Sequence, residues 1–309
     1  MNRNQCLSLC SLPLALFVAQ AASAQTPAAA PAAPPQQDFS LVQIKVHKVA
    51  GNVHYLEGQG GNVGVLIGDD AVILIDDQFA PLTDKLIAAV KTLSTKPVKL
   101  LINTHVHGDH TGGNENIGKM GIDILAHDNV RARLGKGLNG GAPYPAVALP
   151  VITYGDTVAL HFNGEDVEIG KLPPAHTDGD SYIRFRNADV IHVGDVFRTT
   201  GYPGVDVGNG GSVKGTIDAL QKIVDMAGPN TQILPGHGVV SSRDDVAEFR
   251  RKTIELQRRI TDLIKQGMTL EQAIAAKPSA DMDAAFGSPM PVVTERFVTA
   301  FYNSIKSEM

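Results

Sequence analysis

The alternation of short β-rich runs with amphipathic helices is the sequence feature that most constrains the fold. In the first half, four strand-like runs separated by Gly and Asp turns precede a predicted helix at residues 81–93 and a strand, VKLLINT. In the second half, strands and helices alternate again before a long amphipathic helix, DDVAEFRRKTIELQRRITDLIKQ, and two further helical segments at residues 269–276 and 291–306. Two such halves predict an α/β fold, a layered αβ/βα body with sheets inside and helices outside.

The N-terminal segment predicts export. Residues 1–24 have a positive start at Arg3, an apolar middle and Ala22-Ser23-Ala24 before the expected cleavage point, the layout of a secretory signal peptide. Because the apolar run is shorter than the roughly 20 residues that cross a bilayer, we expect no stable membrane insertion after cleavage. We therefore expect a periplasmic or secreted protein.

The rest of the chain divides into a linker and one domain. Residues 25–38 are rich in Ala and Pro without apolar periodicity, which predicts an extended linker. The domain is expected to cover residues 39–309, with C-terminal helices at about 243–309.

Cysteine content and charge exclude several classes of function. Cys6 and Cys10 both lie in the predicted signal peptide, so the mature chain would have no disulfide, thiolate nucleophile or cysteine metal ligand. Loss of Arg3 with that segment takes the formal net charge from -5 to -6. A mildly acidic chain argues against nucleic acid as a partner and favours a small-molecule substrate.

A cluster of ligand-type side chains follows the strand VKLLINT. His105, His107, Asp109 and His110 lie within six residues, directly after an apolar run. Imidazole and carboxylate donors in this pattern suit Zn²⁺, or less often Fe or Mn. Because one ion cannot easily take four ligands from so short a segment, the cluster favours two adjacent metal ions.

Three more ligand-type residues lie at predicted strand ends. His176 precedes the strand SYIRF, Asp195 ends the apolar run VIHVGD, and His237 lies between two glycines after TQILPG. An unpaired carboxylate is costly at the end of an apolar strand, so Asp195 is expected to have a charged partner or a metal ion. Site residues commonly lie where the chain leaves a sheet.

These motifs together resemble the metallo-β-lactamase superfamily over residues 42–243. The resemblance implies a four-layer αβ/βα sandwich of two mixed β-sheets flanked by helices, with two Zn²⁺ per chain. It assigns His105, His107 and His176 to one ion. It assigns Asp109, His110 and His237 to the other, with Asp195 bridging, and it makes Asp76 of VILIDD a residue that supports the ligands.

The resemblance further implies a β-lactamase-like hydrolase. In such enzymes a metal-bound hydroxide attacks the carbonyl of a cyclic amide or ester, and two Zn²⁺ ions lower the pKa of a bridging water toward ~7. Asp109 is the expected catalytic residue, orienting the nucleophile while remaining a ligand. The sequence gives neither the natural substrate nor the oligomeric state.

Two departures from the family pattern leave other functions open. A bridging aspartate such as Asp195 is more similar to the thioesterase, lactonase and phosphodiesterase branches. The segment AHTDGD differs from the usual GHTxGH form at Ala175 and Asp180. Lactone, thioester or other ester hydrolysis is therefore an alternative, as are an iron-dependent sulfur dioxygenase and a non-catalytic binding protein.

The sequence also contains several weaker signals of function. Tyr202, Asp206 and Asn209 follow Asp195 in a Gly-rich stretch and are candidate substrate contacts. Ser212 is predicted to cap a helix, because Lys214 occupies a position where the G-x-S-x-G nucleophile motif requires Gly. The histidines that fit no ligand spacing are predicted to be structural: His47, His54, His127, His161 and His192.

Overall fold

Two mixed β-sheets form the centre of the computed structural model, which describes residues 38–287 and 291–309. The first sheet follows chain order: β1 (Lys45–Ala50), β2 (Val53–Glu57), β3 (Val63–Leu66), β4 (Val72–Ile75), β5 (Val98–Ile102), β6 (Asp123–His127) and β7 (Ile152–Tyr154). Neighbouring strands of this sheet pair antiparallel from β1 to β4 and parallel from β4 to β7.

The second sheet comes from the second half of the chain. Its strands are β8 (Thr157–Phe162), β9 (Glu165–Lys171), β10 (Ser181–Phe185), β11 (Val190–His192) and β12 (Gln232–Leu234). They lie in the order β12-β11-β10-β9-β8, with β11 and β12 parallel and the other pairs antiparallel.

Helices cover the outer faces of both sheets. In chain order they are α1 (Thr83–Leu93), α2 (Gly108–Thr111), α3 (Asn114–Lys119), α4 (Asp128–Lys136), α5 (Val213–Met226), α6 (Arg243–Lys265), α7 (Leu270–Ala275) and α8 (Pro291–Ser307). Leu86 and Val90 of α1 pack on the first sheet. Residues of α5, α6 and α8 pack with Tyr182, Ile191 and Ile233 of the second.

Strand periodicity explains the layers. In β4, Ile73 and Ile75 pack with residues of the second sheet, whereas Val72 and Leu74 pack with α1. Successive strand side chains point to opposite faces, so a strand buried on both faces must be apolar throughout. The predicted α/β class and the four-layer sandwich of two mixed sheets between helices are confirmed.

Short elements account for most differences from the sequence prediction. The main helices lie within a few residues of their predicted bounds, and Ser212 caps α5 as predicted by accepting from Gly215 N at 2.9 Å. The prediction missed α2 to α4, β6 and β7, because elements of three to nine residues hold too few apolar repeats to show a period. Two of the missed elements, α2 and α3, lie at and just after the histidine cluster.

The predicted signal peptide at residues 1–24 lies outside the described residues, as does the predicted linker apart from Asp38. Residues from Asp38 to Met309 cluster as one compact unit. Across the described residues, no helix has both the length and the apolarity needed to cross a membrane.

Candidate metal centre

The seven predicted ligands meet where strands of both sheets end. The chain reaches His105 to His110 just after β5, Asp195 just after β11 and His237 just after β12, while His176 lies in the turn before β10. The parallel pairing of β11 with β12 brings their carboxyl ends to the same sheet edge. The topology therefore assembles residues that are far apart in sequence.

His105, His107 and His176 form one triad whose donor atoms lie within 4.8 Å of one another. His176 Nδ1 donates to Gly204 O at 3.0 Å, and His105 Nδ1 donates to Thr104 Oγ1 at 3.0 Å. His107 Nε2 donates to an aspartate, which leaves its Nδ1 facing His176 Nε2 at 2.7 Å. Two lone-pair nitrogens this close are arranged as a shared cation requires.

Asp109, His110 and His237 form a second triad, whose donor atoms also lie within 4.8 Å of one another. Asp109 Oδ2 lies 3.1 Å from His237 Nε2 and 3.7 Å from His110 Nε2. The other ring nitrogen of His110 donates to Asp76 Oδ2 at 2.7 Å, so Nε2 is the atom that faces the triad.

Asp195 lies between the two triads. Its Oδ1 is 3.2 Å from His110 Nε2 and 3.4 Å from His237 Nε2, whereas Oδ2 is 3.6 Å from His176 Nε2. One oxygen therefore faces each triad. Arg198 also forms a salt bridge with Oδ2.

Unsatisfied buried atoms show that this donor set fits metal ions. His105 Nε2, His110 Nε2 and Asp195 Oδ1 are buried and have no hydrogen-bond partner among the described residues. Buried polar atoms are rarely left unpaired, because each costs about 1–3 kcal/mol. Imidazole nitrogens and carboxylate oxygens are donors that Zn²⁺ prefers.

Burial favours the neutral, metal-binding form of two of the five candidate histidine ligands, His176 and His105. It lowers the pKa of His176 to about 3 and that of His105 well below its usual value. His110 differs, since burial opposes its charged form but the charges of Asp195 and Asp76 outweigh it and raise its pKa well above the usual value. A metal ion at His110 would therefore compete with a proton for this ring.

The carboxylates stay ionised despite burial. For Asp109, burial would raise the pKa, but the hydrogen bond from His237 and the charge of His110 lower it to about 2. For Asp195, burial is likewise outweighed by the charges of Arg198 and His110, which hold its pKa well below the usual value. Both carboxylates are therefore in the charged form that binds a cation.

Asp76 supports both triads, the role expected from the sequence. Its Oδ1 accepts from Thr104 N, while Oδ2 accepts from Thr104 Oγ1 and from His110, each at 2.7 Å. Thr104 Oγ1 in turn accepts from His105. One fully buried carboxylate thus fixes a histidine in each triad.

Asp206 and Asn209, predicted as candidate substrate contacts, instead support His107. Asp206 Oδ2 accepts from His107 Nε2 at 2.7 Å and from Asn209 Nδ2 at 2.6 Å. These bonds lower the pKa of Asp206, with the bond from His107 contributing most. The third candidate, Tyr202, stacks on Phe297 in the helical layer, with ring centroids 4.5 Å apart.

Replacing Asp206 with alanine should weaken metal binding about 10- to 100-fold, because His107 loses the acceptor that fixes its orientation. Competition with a chromophoric zinc chelator measures the change. Asp166→Ala is a matched control, since Asp166 pairs with His161 at 2.6 Å and both side chains are exposed. Equal zinc affinity in the two variants would contradict the role of Asp206.

Asp180 shapes the turn that presents His176. Its carboxylate accepts from Thr177 N at 2.9 Å and from Thr177 Oγ1 at 2.6 Å. Burial raises the pKa of Asp180 to about 7, although the hydrogen bonds from Thr177 act to lower it. The residue that departs from the usual family motif thus has a structural role here.

Three residues that build the site were missed by the sequence analysis: Asn62, Gly236 and Arg198. Asn62 Nδ2 donates to the carbonyl groups on both sides of the His237 turn, at 3.0 and 2.9 Å. A Cβ atom on Gly236 would lie 2.0 Å from Asp195 Oδ1, so only glycine fits. Gly236 was visible in the motif PGHG, whereas Asn62 and Arg198 have no local sequence signal.

His192 is structural, as predicted. It is fully buried, Nε2 donates to Asn62 O at 3.2 Å, and Nδ1 accepts from Gly194 N at 3.2 Å. Burial lowers its pKa to about 4.

The low pKa of His192 predicts acid destabilisation of the metal-free protein. A histidine in the unfolded chain takes up a proton near pH ~6.5, whereas folded His192 stays neutral until about pH 4. Its contribution to stability is therefore present above pH ~6.5 and is lost as pH falls toward 4, by up to ~1.4 kcal/mol per pH unit. Urea unfolding of His192→Gln should show a shallower pH slope than wild type, and identical slopes would contradict this assignment.

Comparisons with known proteins agree with this geometry. The sequence model of the metallo-beta-lactamase superfamily matches residues 56–237. A hydroxyacylglutathione hydrolase from Nitrosococcus oceani is 29% identical over 145 residues, which are 46% of this chain and 49% of that protein. The chain thus aligns with about half the length of this curated relative.

Solved structures share the fold at low sequence identity. A metallo-beta-lactamase from Pontibacter korlensis superposes with a TM-score of 0.60 at 17% identity, covering 69% of this chain and 99% of that one. The DIM-1 metallo-beta-lactamase superposes with a TM-score of 0.58 at 16% identity, covering 69% of this chain and 98% of that one. A double mutant of the sec-alkyl sulfatase PisA1 superposes with a TM-score of 0.64 at 17% identity, covering 84% of this chain and 50% of that one.

The family match and the fold lead to the same assignment. The matched residues, 56–237, are more than half of the 309-residue chain and include all seven predicted ligands. The resemblance inferred from the motifs is therefore confirmed: the chain belongs to the metallo-beta-lactamase superfamily.

Proposed function

We propose that the protein is a metal-dependent hydrolase with two zinc ions, acting on the carbonyl of a cyclic amide or ester. The position of Asp195 is the observation that carries the proposal, because its two oxygens face the two triads separately. Superfamily membership and the hydrolase-named relative support metal-dependent hydrolysis.

The donor set supports zinc and two sites. His105, His107 and His176 would hold one ion, and Asp109, His110 and His237 the other, with Asp195 shared. A complete second triad favours two ions over the single iron of a dioxygenase. Ions bound here would supply Lewis acidity and lower the pKa of a coordinated water toward ~7.

The protein side chains have separate tasks in this proposal. Asp109 is the proposed catalytic residue, because its carboxylate is ionised and its side chain is 29% exposed, so it can contact a water and accept its proton. Asp76 and Asp206 hold the imidazoles in the required tautomers. Burial of His105, His110 and His176 strengthens the electrostatic interactions made by these three rings.

Thioester hydrolysis is a second candidate. It is favoured by the relative named hydroxyacylglutathione hydrolase, which aligns with this chain over 145 residues. The signal-peptide layout of residues 1–24 supports an exported enzyme, in the periplasm or secreted, which meets β-lactams and lactones more readily than cytoplasmic thioesters.

A substrate panel tests the proposal and separates the candidates. The mature protein, loaded with zinc, is assayed with nitrocefin, a γ-butyrolactone and S-lactoylglutathione, each with and without a chelator. The proposal predicts chelator-sensitive hydrolysis of nitrocefin or the lactone, and turnover of the thioester alone would favour the second candidate. Absence of turnover on all three would contradict both.

A further inference from the structure

Arg133 of α4 contacts two loops that support the first triad, the one formed by three histidines. Its Nε donates to Asp178 Oδ1 at 2.7 Å and its Nη2 donates to Asp178 Oδ2 at 2.6 Å, so the fork of the guanidinium matches both carboxylate oxygens. Its Nη1 donates to Asn209 Oδ1 at 3.2 Å. One guanidinium therefore joins the turn of His176 to the loop at residues 206–210.

The first route from Arg133 leads to His107. Asn209 Oδ1 accepts from Arg133, so the amide nitrogen of Asn209 points the other way, where it donates to Asp206 Oδ2 at 2.6 Å. Asp206 Oδ2 also accepts from His107 Nε2 at 2.7 Å. A reversed amide would place two oxygens together at Asp206 and two donors together at Arg133. Arg133 therefore fixes the amide orientation that supports the acceptor of His107.

The second route leads to His176, which lies two residues before Asp178. Asp178 N donates to Asn209 O at 3.0 Å, and Asp206 N donates to His176 O at 2.9 Å, so the turn and the loop are also joined through their backbones. Asn129 Nδ2 of α4 donates to Asp178 O at 2.9 Å. The turn that presents His176 is thus held against α4 on one side and against the loop on the other.

The salt bridge between Arg133 and Asp178 is tightly packed. The two side chains are 27% and 25% exposed. Gly210 has φ 79°, a left-handed conformation that favours glycine, and a Cβ atom there would lie 2.8 Å from both Arg133 Nη2 and Asp178 Oδ2. A bidentate and largely buried salt bridge restrains its neighbours more than an exposed ion pair does.

We propose that Arg133 is a positioning residue that orients His107 and His176 and thereby sets the affinity of the first triad for its metal ion. The inference rests on the proposed function, because the orientation of these rings matters for a metal ion that they share. Among the described contacts of Arg133, none is to a residue of the second triad. Loss of Arg133 should therefore weaken one metal site and leave the other unchanged.

Zinc affinity in variants that keep a single triad tests this selectivity. His237→Ala removes a ligand of the second triad, and His107→Ala removes one of the first. Adding Arg133→Gln should weaken zinc binding about tenfold in the His237→Ala background, the lower end of the effect of losing a group that orients a ligand, and leave it unchanged in the His107→Ala background. Arg131→Gln is the matched control, since Arg131 is exposed on the same helix, and it should change neither affinity.

Histidine ring NMR of the metal-free protein tests the positioning step without metal or activity. A long-range 1H–15N spectrum at one fixed pH reports which ring nitrogen of each histidine carries a proton, and His107→Ala assigns the signals of that ring. Arg133→Gln should shift or broaden the Nε2–H signal of His107, whereas the signals of His110, which is held by Asp76, should stay in place. Arg133→Lys should have a smaller effect, because the lysine ammonium keeps the charge but lacks the fork that spans two acceptors.

Thermal unfolding of every variant is measured first, and if Arg133→Gln fails to fold, Arg133→Lys decides. Equal zinc affinity of the first triad with Arg133→Gln and with Arg131→Gln, equal weakening of both triads, or an unchanged His107 signal would overturn the proposal. A wild type that binds no zinc would refute the proposed function alone, because the His107 signal still reports on Arg133.

Discussion

Replacing Asp195 with alanine should remove metal from both triads and lower kcat/KM by at least about a thousandfold, since a metal ion contributes several kcal/mol to a hydrolytic transition state. The reason is geometric, because one oxygen of Asp195 faces His110 and the other faces His176. Metal analysis after dialysis, together with kcat/KM on the best substrate of the panel, measures both effects.

Asp195→Asn is the matched variant for this prediction. It keeps an oxygen that can accept from Arg198 but loses the negative charge that attracts the metal ions. It should retain more metal than Asp195→Ala and less than wild type. Full metal content and wild-type turnover in Asp195→Ala would show that the centre does not depend on a shared carboxylate.

Replacing Asp76 with alanine should destabilise the metal-free protein by about 3–5 kcal/mol, the usual result of removing one partner from a buried ion pair. Asp76 is fully buried and accepts from His110 and from two groups of Thr104. The charges of Asp195 and Asp76 raise the pKa of His110 well above its usual value, so the variant would leave this buried ring with one of its two carboxylate partners. The free energy of urea unfolding measures the loss.

Asp76→Asn separates charge from shape at this position. The backbone of Asp76 has φ 64°, a left-handed conformation that Asn tolerates better than Ala. Asp76→Asn should therefore lose less stability than Asp76→Ala while still weakening zinc binding. A loss below about 1 kcal/mol in Asp76→Ala, the size of an average point mutation, would contradict the proposed support role.

The seven candidate ligands could be selected from the sequence because their spacing is local or tied to strand ends. His105 to His110 follow an apolar strand, and His237 lies in a recognisable glycine turn. The metal-ligand roles of the seven residues stay predictions, although their donor atoms meet at one place. The continuous apolar run of strands such as β4 also indicates a sheet that is covered on both faces.

The supporting residues could not be predicted in the same way. Asn62 contacts the His237 turn across more than 170 positions of the chain, and Asp206 reaches His107 across 99. Such pairs depend on how the two sheets pack, which no local pattern encodes. For the same reason Tyr202, close to Asp195 in sequence, lies in the helical layer instead of the metal centre.

The metal content of the protein expressed from Gln25 and purified without chelator tests the central claim most directly. Inductively coupled plasma mass spectrometry should find about two zinc ions per chain, the stoichiometry of a two-metal hydrolase, and a chelator should remove them together with the hydrolytic activity. One tightly bound iron per chain, or hydrolysis that persists after all metal has been removed, would contradict the account.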